Sequence, residues 1–406
     1  MITDPEILKK LIEQGSLLPK EEMLEIGRKK GSLFIGIPKE TSFQERRVAL
    51  VPVAVSVLVA NGHRVRVESK SGELASFSDR DYSEAGAEIC YDAREVFECE
   101  IIFKVAPPSE DEVEMMPGNQ TLISALQLSV QPKALLQKLM QKKVTAVAWD
   151  YIKDEAGVFP VVRTMGEIAG TTSVLIAGEL LSSFPDGKGV MLGGIAGVTP
   201  TEVVVIGAGT VGEYAIRSAL GLGAAVKVFD NSLARLRRLQ NDLGQRIYTS
   251  VLNPKVLGKA LRRADVVIGA LRAPLGRTPC VVTEEMIESM KAGSVAVDVS
   301  IDQGGCFETS HVTNHKEPTF VKHGVIHYCV PNIASRVSRT ASFALSNIFL
   351  PILLDMGDQG GCRDLIKNDV GFRSGVYIYR GTLTSEVLGK VFDLRYKDIE
   401  LLILGI

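Results

Sequence analysis

The sequence predicts an α/β protein of two domains, each built on a parallel sheet with helices on its faces. Three observations support this prediction. Short apolar strands alternate with amphipathic helices along most of the chain, the pattern of parallel sheets covered by helices. The stretch 203–230 combines strand, glycine-rich turn, helix and second strand in the order of a dinucleotide-binding unit. The length, 406 residues, suits two domains.

The glycine-rich turn of this stretch carries the strongest functional signal. A β-branched strand at 203–206 leads into Gly207-Ala208-Gly209-Thr210-Val211-Gly212, and an apolar-periodic helix follows. Gly207 permits the tight turn, Gly209 lets a pyrophosphate approach the backbone, and Gly212 lets the helix pack against the sheet. The N-terminus of the helix offers free N–H groups to the phosphates.

Asp230 ends the second strand, 18 residues after Gly212. A carboxylate there can accept hydrogen bonds from the hydroxyls of a ribose, and it would repel a 2′-phosphate. We therefore favour NAD over NADP, although the neighbouring Arg235 and Arg237 weaken that preference slightly.

Composition excludes several classes of function. The net charge of −2 indicates neither nucleic-acid nor membrane-surface binding. No apolar run reaches the roughly 18 residues of a membrane-spanning helix. The N-terminus carries acids and lacks an apolar centre, so it is not a signal peptide. The six cysteines are scattered without CxxC spacing, as expected of reduced thiols in a cytoplasmic protein.

The order of elements suggests how the chain is organised. Residues 1–32 form an amphipathic helical extension, the substrate domain takes 33–160 plus 340–406, and the dinucleotide domain takes 161–339. Among the expected elements are strands at 64–68 and 294–301 and helices at 166–183, 233–243 and 341–354.

Four sequence blocks resemble one family. They are GIPKETSFQERRVALVP (36–52), GVMLGGIAGVTPTEVVVIGAGTVGEYA (189–215), AGSVAVDVSIDQGGCFETS (292–310) and HGVIHYCVPNIASRVSRTASFALSN (323–347). Through them, residues 33 to about 395 resemble the alanine dehydrogenase family, whose fold is shared by the NAD-binding subunit of proton-translocating transhydrogenase. The extension 1–32 lies outside the resemblance.

This resemblance implies two Rossmann-like domains with a cleft between them and NAD as cofactor. The implied reaction is reversible oxidative deamination, in which L-alanine, NAD and water give pyruvate, ammonia and NADH. The partner is thus a small amino or 2-oxo acid. The family is usually hexameric and the transhydrogenase subunit dimeric, so a homo-oligomer is expected.

The resemblance also assigns roles to individual residues. The arginine that binds the substrate carboxylate corresponds to Arg47, and the acid beside the nicotinamide corresponds to Asp302. Asn332 matches the asparagine near the nicotinamide ribose, and Ile333 stands where the family usually has methionine against the ring. The candidate cofactor site also includes Thr210, Val211, Arg235 and Leu271.

Two positions of the implied catalytic site also depart from the family pattern. The substrate-binding lysine of the KVKEP motif is Ala106 here, although Lys104 remains two residues earlier on the same face of the strand. The catalytic histidine of the FLHL motif is Gln127, and an amide cannot exchange a proton near neutral pH. Lys104 and Gln127 are kept as candidate site residues, but NAD binding is better supported than alanine turnover.

Other functions and sites therefore remain open. The chain could be an NAD(H)-binding transhydrogenase-like subunit or sensor without deamination, or an enzyme of this fold acting on another amino or imino acid. Arg272 and Arg336 either bind a larger or more acidic substrate, or face solvent and pair with nearby acids. No metal is expected, since turn and strand residues surround the spaced histidines at 311 and 315 and at 323 and 327.

Overall fold

The computed structural model describes residues 31–126, 132–183, 186–273 and 277–404. These residues group into two compact units. Unit one contains 31–41, 47–160 and 342–404, and unit two contains 42–46 and 161–341. The chain thus contributes to unit two with one short segment before Arg47 and with its long central part. The expected N-terminal helical extension lies almost entirely outside the described residues.

The first part of unit one alternates strands with helices. Its strands are β1 (Phe34–Ile37), β2 (Arg64–Glu68), β3 (Glu88–Cys90), β4 (Ile101–Phe103), β5 (Thr121–Ser124) and β6 (Thr145–Ala148). Its helices are α1 (Pro52–Ala60), α2 (Asp79–Glu84), α3 (Ala93–Phe97), α4 (Glu110–Met115) and α5 (Lys133–Gln141). Capping boxes begin α2 at Ser78 and α4 at Ser109, because each serine accepts from the third helical N–H.

Unit two starts within the long helix α6 (Pro160–Ser182), which begins six residues before the predicted helix. Its strands are β7 (Glu202–Ile206), β8 (Ala225–Phe229), β9 (Tyr248–Ser250), β10 (Val266–Gly269), β11 (Val295–Asp298), β12 (Thr319–Lys322) and β13 (Val325–Tyr328). Its other helices are α7 (Thr210–Gly221), α8 (Leu233–Leu243), α9 (Pro254–Leu261) and α10 (Glu284–Glu288).

One predicted strand of unit two is shorter than expected. The strand predicted at 294–301 ends at Asp298, and a 3-10 helix (Val299–Gln303) follows. The Asp298 side chain accepts a hydrogen bond from the N–H of Ser300, which turns the chain out of the strand. Alternation of apolar residues alone could not show this turn.

The last part of the chain returns to unit one. It contains α11 (Ser338–Asp358), α12 (Cys362–Asn368), α13 (Val370–Arg373), β14 (Val376–Tyr379), β15 (Thr382–Leu383), α14 (Glu386–Phe392) and α15 (Ile399–Leu404). Among the described residues, one stretch, Ile333–Asp358, is long and apolar enough to cross a membrane by length and composition. Leu345, Phe349 and Leu353 are nevertheless buried, and the Phe349 ring lies 4.8 Å from that of Phe103. Core packing explains its apolar character.

The sheet of unit one has the strand order β15-β14-β6-β5-β4-β1-β2-β3 within the described residues. The strands from β3 to β6 are parallel, and β14 and β15 pair antiparallel at one edge. Buried residues of α5, β4, β5 and β14 form part of its core.

The sheet of unit two has the order β12-β13-β11-β10-β7-β8-β9, again within the described residues, and is parallel except for β12. The strand order reverses at β7, which pairs with β8 on one side and β10 on the other. Ile206 is in register with Phe229 and Gly269, and Gly269 with Asp298. The residues that follow these four strands therefore share one edge of the sheet, the position where such folds bind ligands.

Helix α6 packs closely on the dinucleotide helix α7 at Gly170. An ideal Cβ built there would overlap the carbonyl oxygen of Val211 and lie 2.9 Å from the backbone nitrogen of Ala215. Gly178, two turns later in α6, has ordinary space, with its nearest neighbour, Leu192, at 3.5 Å. A methyl group would therefore clash with α7 at Gly170 and would fit at Gly178.

We predict opposite effects for Gly170→Ala and Gly178→Ala. The first should destabilise the protein by about 1–3 kcal/mol, because α6 must move away from α7. The second should be neutral or stabilise by up to about 1 kcal/mol, since alanine favours helix. Urea-induced unfolding followed by circular dichroism measures both, and equal midpoints for the two variants would contradict the close approach.

Candidate functional site

The turn after β7 is built so that two positions accept only glycine. Gly207 has φ +113°, outside the region open to L side chains, and a Cβ there would overlap the carbonyl oxygen of Ala270. A Cβ at Gly212 would overlap the carbonyl oxygen of Gly207. The predicted reasons for these two glycines, a tight turn and close packing of the helix, agree with this geometry.

Gly209 differs, because nothing lies within 4 Å of an ideal Cβ built at that position. It is the N-cap residue of α7, and no side chain caps the helix there. The half-buried Thr210 and Val211 form the first turn. Open space beside uncapped N–H groups at the start of a 12-residue helix suits a pyrophosphate. The residues present therefore fit a dinucleotide.

Asp230 follows β8 on the same edge and is buried. Its Oδ2 accepts from the N–H of Ala208 at 2.8 Å, and its Oδ1 accepts from the N–H of Ser232 at 2.7 Å. The Arg235 guanidinium lies 3.7 Å from Oδ2, but that side chain is 57% exposed, so the pair contributes little. A carboxylate has about four acceptor positions, which leaves two for the hydroxyls of a ribose.

The structure brings Asp302, Asn332 and Ile333 together after β11 and β13. Asp302 is exposed on the 3-10 helix Val299–Gln303, and its Oδ1 accepts from the N–H of Asn332 at 2.8 Å. Asn332 has φ +55° and donates from Nδ2 to Glu45 at 2.8 Å. Ile333 is buried at the start of the next 3-10 helix. The predicted strand placed Asp302 directly after its last residue, whereas the observed strand ends at Asp298 and Asp302 lies four residues later, on the turn.

Asp298 is a positioning residue that the sequence analysis missed. Its carboxylate accepts from the N–H of Ser300 and Cys306 at 3.0 and 2.9 Å and from the Ser310 hydroxyl at 2.6 Å. These bonds close the turn that carries Asp302. Burial raises the pKa of Asp298, and the hydrogen bonds partly oppose that rise. A single acid ending an apolar strand four residues before Asp302 was the available signal.

Leu271 and Cys306 lie beside the same turn. The Leu271 carbonyl accepts from the Ser300 hydroxyl at 2.8 Å. Burial raises the pKa of the Cys306 thiol well above its ordinary value, and the Asp298 charge adds to the effect. A thiol held protonated in this way is a structural group and not a nucleophile.

In unit one, the side chains of Arg47 and Lys104 are both buried. The Lys104 ammonium lies 2.7 Å from Glu112 Oε2 and 3.8 Å from Glu40 Oε2. Glu40 also accepts from the N–H groups of Val105 and Ala106. Lys104 is therefore committed to two internal carboxylates, which does not favour the substrate contact suggested for it.

The other predicted positions have mixed outcomes. Gln127 lies outside the described residues. Arg272 is exposed, whereas Arg336 donates to Glu179 Oε2 at 2.7 Å. Arg272 thus faces solvent and Arg336 pairs with an acid, as in the second of the two alternatives given for them above.

No group of three metal-ligating side chains occurs among the described residues. His327 is fully buried, with Nε2 2.8 Å from the Thr309 hydroxyl and Nδ1 3.0 Å from the Val325 carbonyl. Burial is the first cause that lowers its pKa to about 4. His323 lies 2.7 Å from Glu284. These partners give both histidines structural roles.

Family models and known proteins match nearly the whole described chain. The models described as alanine dehydrogenase/PNT, N-terminal domain and C-terminal domain match residues 36–169 and 173–386. The alanine dehydrogenase of Mycolicibacterium smegmatis is 40% identical over 367 residues, covering 90% of this chain and 98% of that protein. That of Methanococcus maripaludis is 39% identical over 370 residues, covering 91% and 99%.

Solved structures extend these matches. An L-alanine dehydrogenase superposes with a TM-score of 0.82 at 38% identity, covering 88% of this chain and 99% of that chain. A transhydrogenase from Sinorhizobium meliloti superposes with a TM-score of 0.73 at 24% identity, a likeness of fold, covering 87% and 99%. The predicted fold class, mostly parallel sheets flanked by helices in a two-domain Rossmann-like arrangement, is confirmed.

We predict that Asp230→Asn weakens NADH binding by roughly tenfold to a hundredfold, because a charged acceptor is lost and one amide N–H faces a backbone donor. Preference for NADH over NADPH should also narrow, since repulsion of the 2′-phosphate disappears. Fluorescence titration with each nucleotide measures both effects. Asp242→Asn, an exposed change on α8, is the control. Unchanged NADH affinity in Asp230→Asn would rule out the ribose contact.

His327 should make the protein less stable as pH falls. Because its pKa in the folded protein is about 4 and its ordinary value is 6.5, the unfolded chain takes up the proton first. The free energy of unfolding therefore falls as the pH drops from the ordinary pKa towards the folded pKa, by about 2 kcal/mol from pH 7 to pH 5. Urea unfolding at both pH values should show a smaller loss in His327→Gln than in the natural protein. An equal loss would contradict the buried neutral imidazole.

Proposed function

The chain belongs to the alanine dehydrogenase/PNT family, and from this premise we propose that it oxidises L-alanine with NAD. The reaction converts L-alanine, NAD⁺ and water to pyruvate, ammonium, NADH and a proton. The observation that carries the proposal is the match of both family domains together with 40% identity across 98% of an alanine dehydrogenase. Such a protein is an NAD-dependent oxidoreductase acting on CH–NH₂ groups.

The cofactor is assigned to unit two. The start of α7 in the Gly207–Gly212 turn, with the N–H groups of Thr210 and Val211, would hold the pyrophosphate, and Asp230 would hold a ribose. Leu271, Asn332 and Ile333 would contact the nicotinamide end. When bound, NAD supplies the hydride acceptor. The buried carboxylate of Asp230 supports NAD over NADP, since Arg235 is too exposed to neutralise it.

Arg47 is assigned to the substrate carboxylate. The chain after it is fixed, because the N–H groups of Val48 and Val51 donate to the hydroxyls of Ser342 and Ser346 on α11, at 3.0 and 2.9 Å. A buried guanidinium at an anchored position can hold a carboxylate through two hydrogen bonds in one orientation. Fixed orientation of the substrate is what hydride transfer requires.

Asp302 is assigned to proton transfer. Its Oδ1 is fixed by the N–H of Asn332, and its side chain is exposed, so it can exchange protons with water or substrate. Deamination passes through a carbinolamine, which must gain and lose protons. With alanine at 106 and glutamine at 127, Asp302 is the titratable group that remains from the family's catalytic set.

A second candidate function is an NAD(H)-binding subunit or sensor without deamination, as in the transhydrogenase branch. The pairing of Lys104 with Glu112 and Glu40 favours this candidate. The family's substrate-binding lysine is alanine at position 106, and Lys104, the one lysine at 101–106, is already paired inside the protein. A third candidate, action on another amino or imino acid, keeps the dehydrogenase chemistry and changes the substrate.

We also propose a homo-oligomer, a hexamer or a dimer by resemblance, located in the cytoplasm. The six cysteines are all free in the structure, which supports a reducing compartment. Neither nucleic acid nor membrane is assigned as a partner.

One assay separates these functions. The purified protein with NADH and ammonium should consume NADH with at least one 2-oxo acid, pyruvate first. Arg47→Ala should lower kcat/KM by roughly a hundredfold through loss of a charged, bidentate contact, and Arg47→Lys should retain part of the activity. NADH affinity should stay within about twofold.

Arg80→Ala is the matched control, since Arg80 is an exposed arginine paired with one carboxylate, Glu84. Saturable NADH binding without turnover of any 2-oxo acid would select the sensor over the enzyme. Full activity in Arg47→Ala would remove Arg47 from the substrate site.

A further inference from the structure

Unit two holds a cluster of basic side chains that the reaction with alanine does not use. Arg46, His315 and Arg336 come from three separate chain segments. Gln44 Oε1 accepts from the N–H of His315 at 3.1 Å, and the Ser335 hydroxyl accepts from the N–H of Arg46 at 2.8 Å. The segment 42–46 is therefore bound to the loop that carries His315 and to the 3-10 helix that carries Arg336. We call these three residues the basic cluster.

The backbone around the basic cluster is strained. Gln44 and Asn332 have φ of +63° and +55°, left-handed conformations that are unfavourable for residues other than glycine. The buried Glu45 bonds the Asn332 amide at 2.8 Å and so connects the two. Strained residues held by several bonds concentrate at binding sites.

Among the described residues, the cationic side chains of the cluster have one ion-pair partner, Glu179. No carboxylate among the described residues pairs with the Arg46 guanidinium, which is exposed. Arg336 pairs with Glu179, but that carboxylate is 63% exposed, and such pairs are weak and easily exchanged. The buried Nε2 of His315 has no hydrogen-bond partner within the described chain. Burial, then the positive charges of Arg46 and Arg336, lowers the pKa of His315.

These observations point to an anionic ligand with several acceptor oxygens. A carboxylate would accept from the two guanidinium groups and from an N–H of His315, and would satisfy the buried nitrogen. Glu45, the residue before Arg46, is bonded to Asn332, which is assigned to the nicotinamide end of the cofactor, so the basic cluster adjoins the position of the substrate within unit two. Alanine and pyruvate have only one carboxylate and would leave the cluster unused.

We propose that the basic cluster binds the distal carboxylate of a dicarboxylic substrate. This inference rests on the proposed dehydrogenase function and adds dicarboxylic acids to alanine as a second class of substrate. In the direction of amination, the substrate is a dicarboxylic 2-oxo acid such as 2-oxoglutarate. With ammonium, NADH and a proton it gives the dicarboxylic amino acid, NAD⁺ and water.

A pair of matched substrates tests this. 2-Oxoglutarate and 2-oxopentanoate have the same chain length and differ in a terminal carboxylate or methyl group. The natural protein should prefer 2-oxoglutarate by about tenfold or more in kcat/KM. Arg336→Ala and Arg46→Ala should each reduce kcat/KM for 2-oxoglutarate by about tenfold or more and change that for 2-oxopentanoate less than about threefold.

Arg263→Ala is the control, because Arg263 is also an exposed unit-two arginine with one carboxylate partner, Glu202 at 3.1 Å. Arg263→Ala should leave kcat/KM unchanged for both 2-oxoglutarate and 2-oxopentanoate. Equal kcat/KM for the two acids in the natural protein, or an equal fall in kcat/KM for both acids in Arg336→Ala, would overturn the dicarboxylate site. Either result would leave the dehydrogenase function intact.

A binding measurement keeps the two proposals separate. If NADH binds but no 2-oxo acid is turned over, the dehydrogenase function fails. The NADH complex is then titrated with each acid without ammonium, following NADH fluorescence. A preference for 2-oxoglutarate that disappears in Arg336→Ala would support the carboxylate site, and equal affinity for the two acids would overturn it.

Discussion

The dinucleotide unit depends on the approach of backbone to backbone at the turn after β7. Gly207 touches the residue that follows β10, Gly212 touches Gly207, and Gly170 brings α6 onto the first turns of α7. At each of these positions the glycine has no side chain, so the two backbones approach directly. The three elements therefore meet without side chains between them. The N-terminus of α7 is therefore presented at the strand edge with its N–H groups uncapped.

Buried carboxylates fix the loops that leave the strand ends. Asp230 holds the glycine-rich turn through the N–H of Ala208, and Asp298 holds the turn carrying Asp302 through Ser300, Cys306 and Ser310. In unit one, Glu40 does the same for Val105 and Ala106. Backbone N–H groups at strand ends have no ladder partner, and a buried acid satisfies several of them at once. Such acids fix the loops at the strand ends of each unit.

Local sequence signals predicted the regular elements and the cofactor turn. The strand at 64–68 and the helix at 233–243 have the predicted limits, because alternation and a 3.6-residue period are visible locally. The partners of buried charges could not be predicted. Lys104, for example, is buried like a core residue. Its carboxylate partners, Glu112 and Glu40, lie 8 and 64 residues away along the chain, so the local sequence does not show them. The same holds for Asp298, whose acceptor role appears only after the following turn closes.

Charge has a different distribution in this chain from the one that the family pattern implies. The alanine at 106 removes a cation from the end of β4, and the remaining cation, Lys104, is balanced by Glu40 and Glu112 inside the protein. In unit two, the ion pair that Arg336 makes among the described residues is with Glu179, which is largely exposed, and the Arg46 guanidinium is exposed. Hydride transfer tolerates such a change, since it requires an oriented substrate and not a particular cation. Substrate choice depends more strongly on charge, because an unmatched charge favours the ligand that neutralises it. The glycine-rich turn and Asp230 thus follow the pattern of a dinucleotide unit, whereas positions 106 and 127 depart from the family pattern.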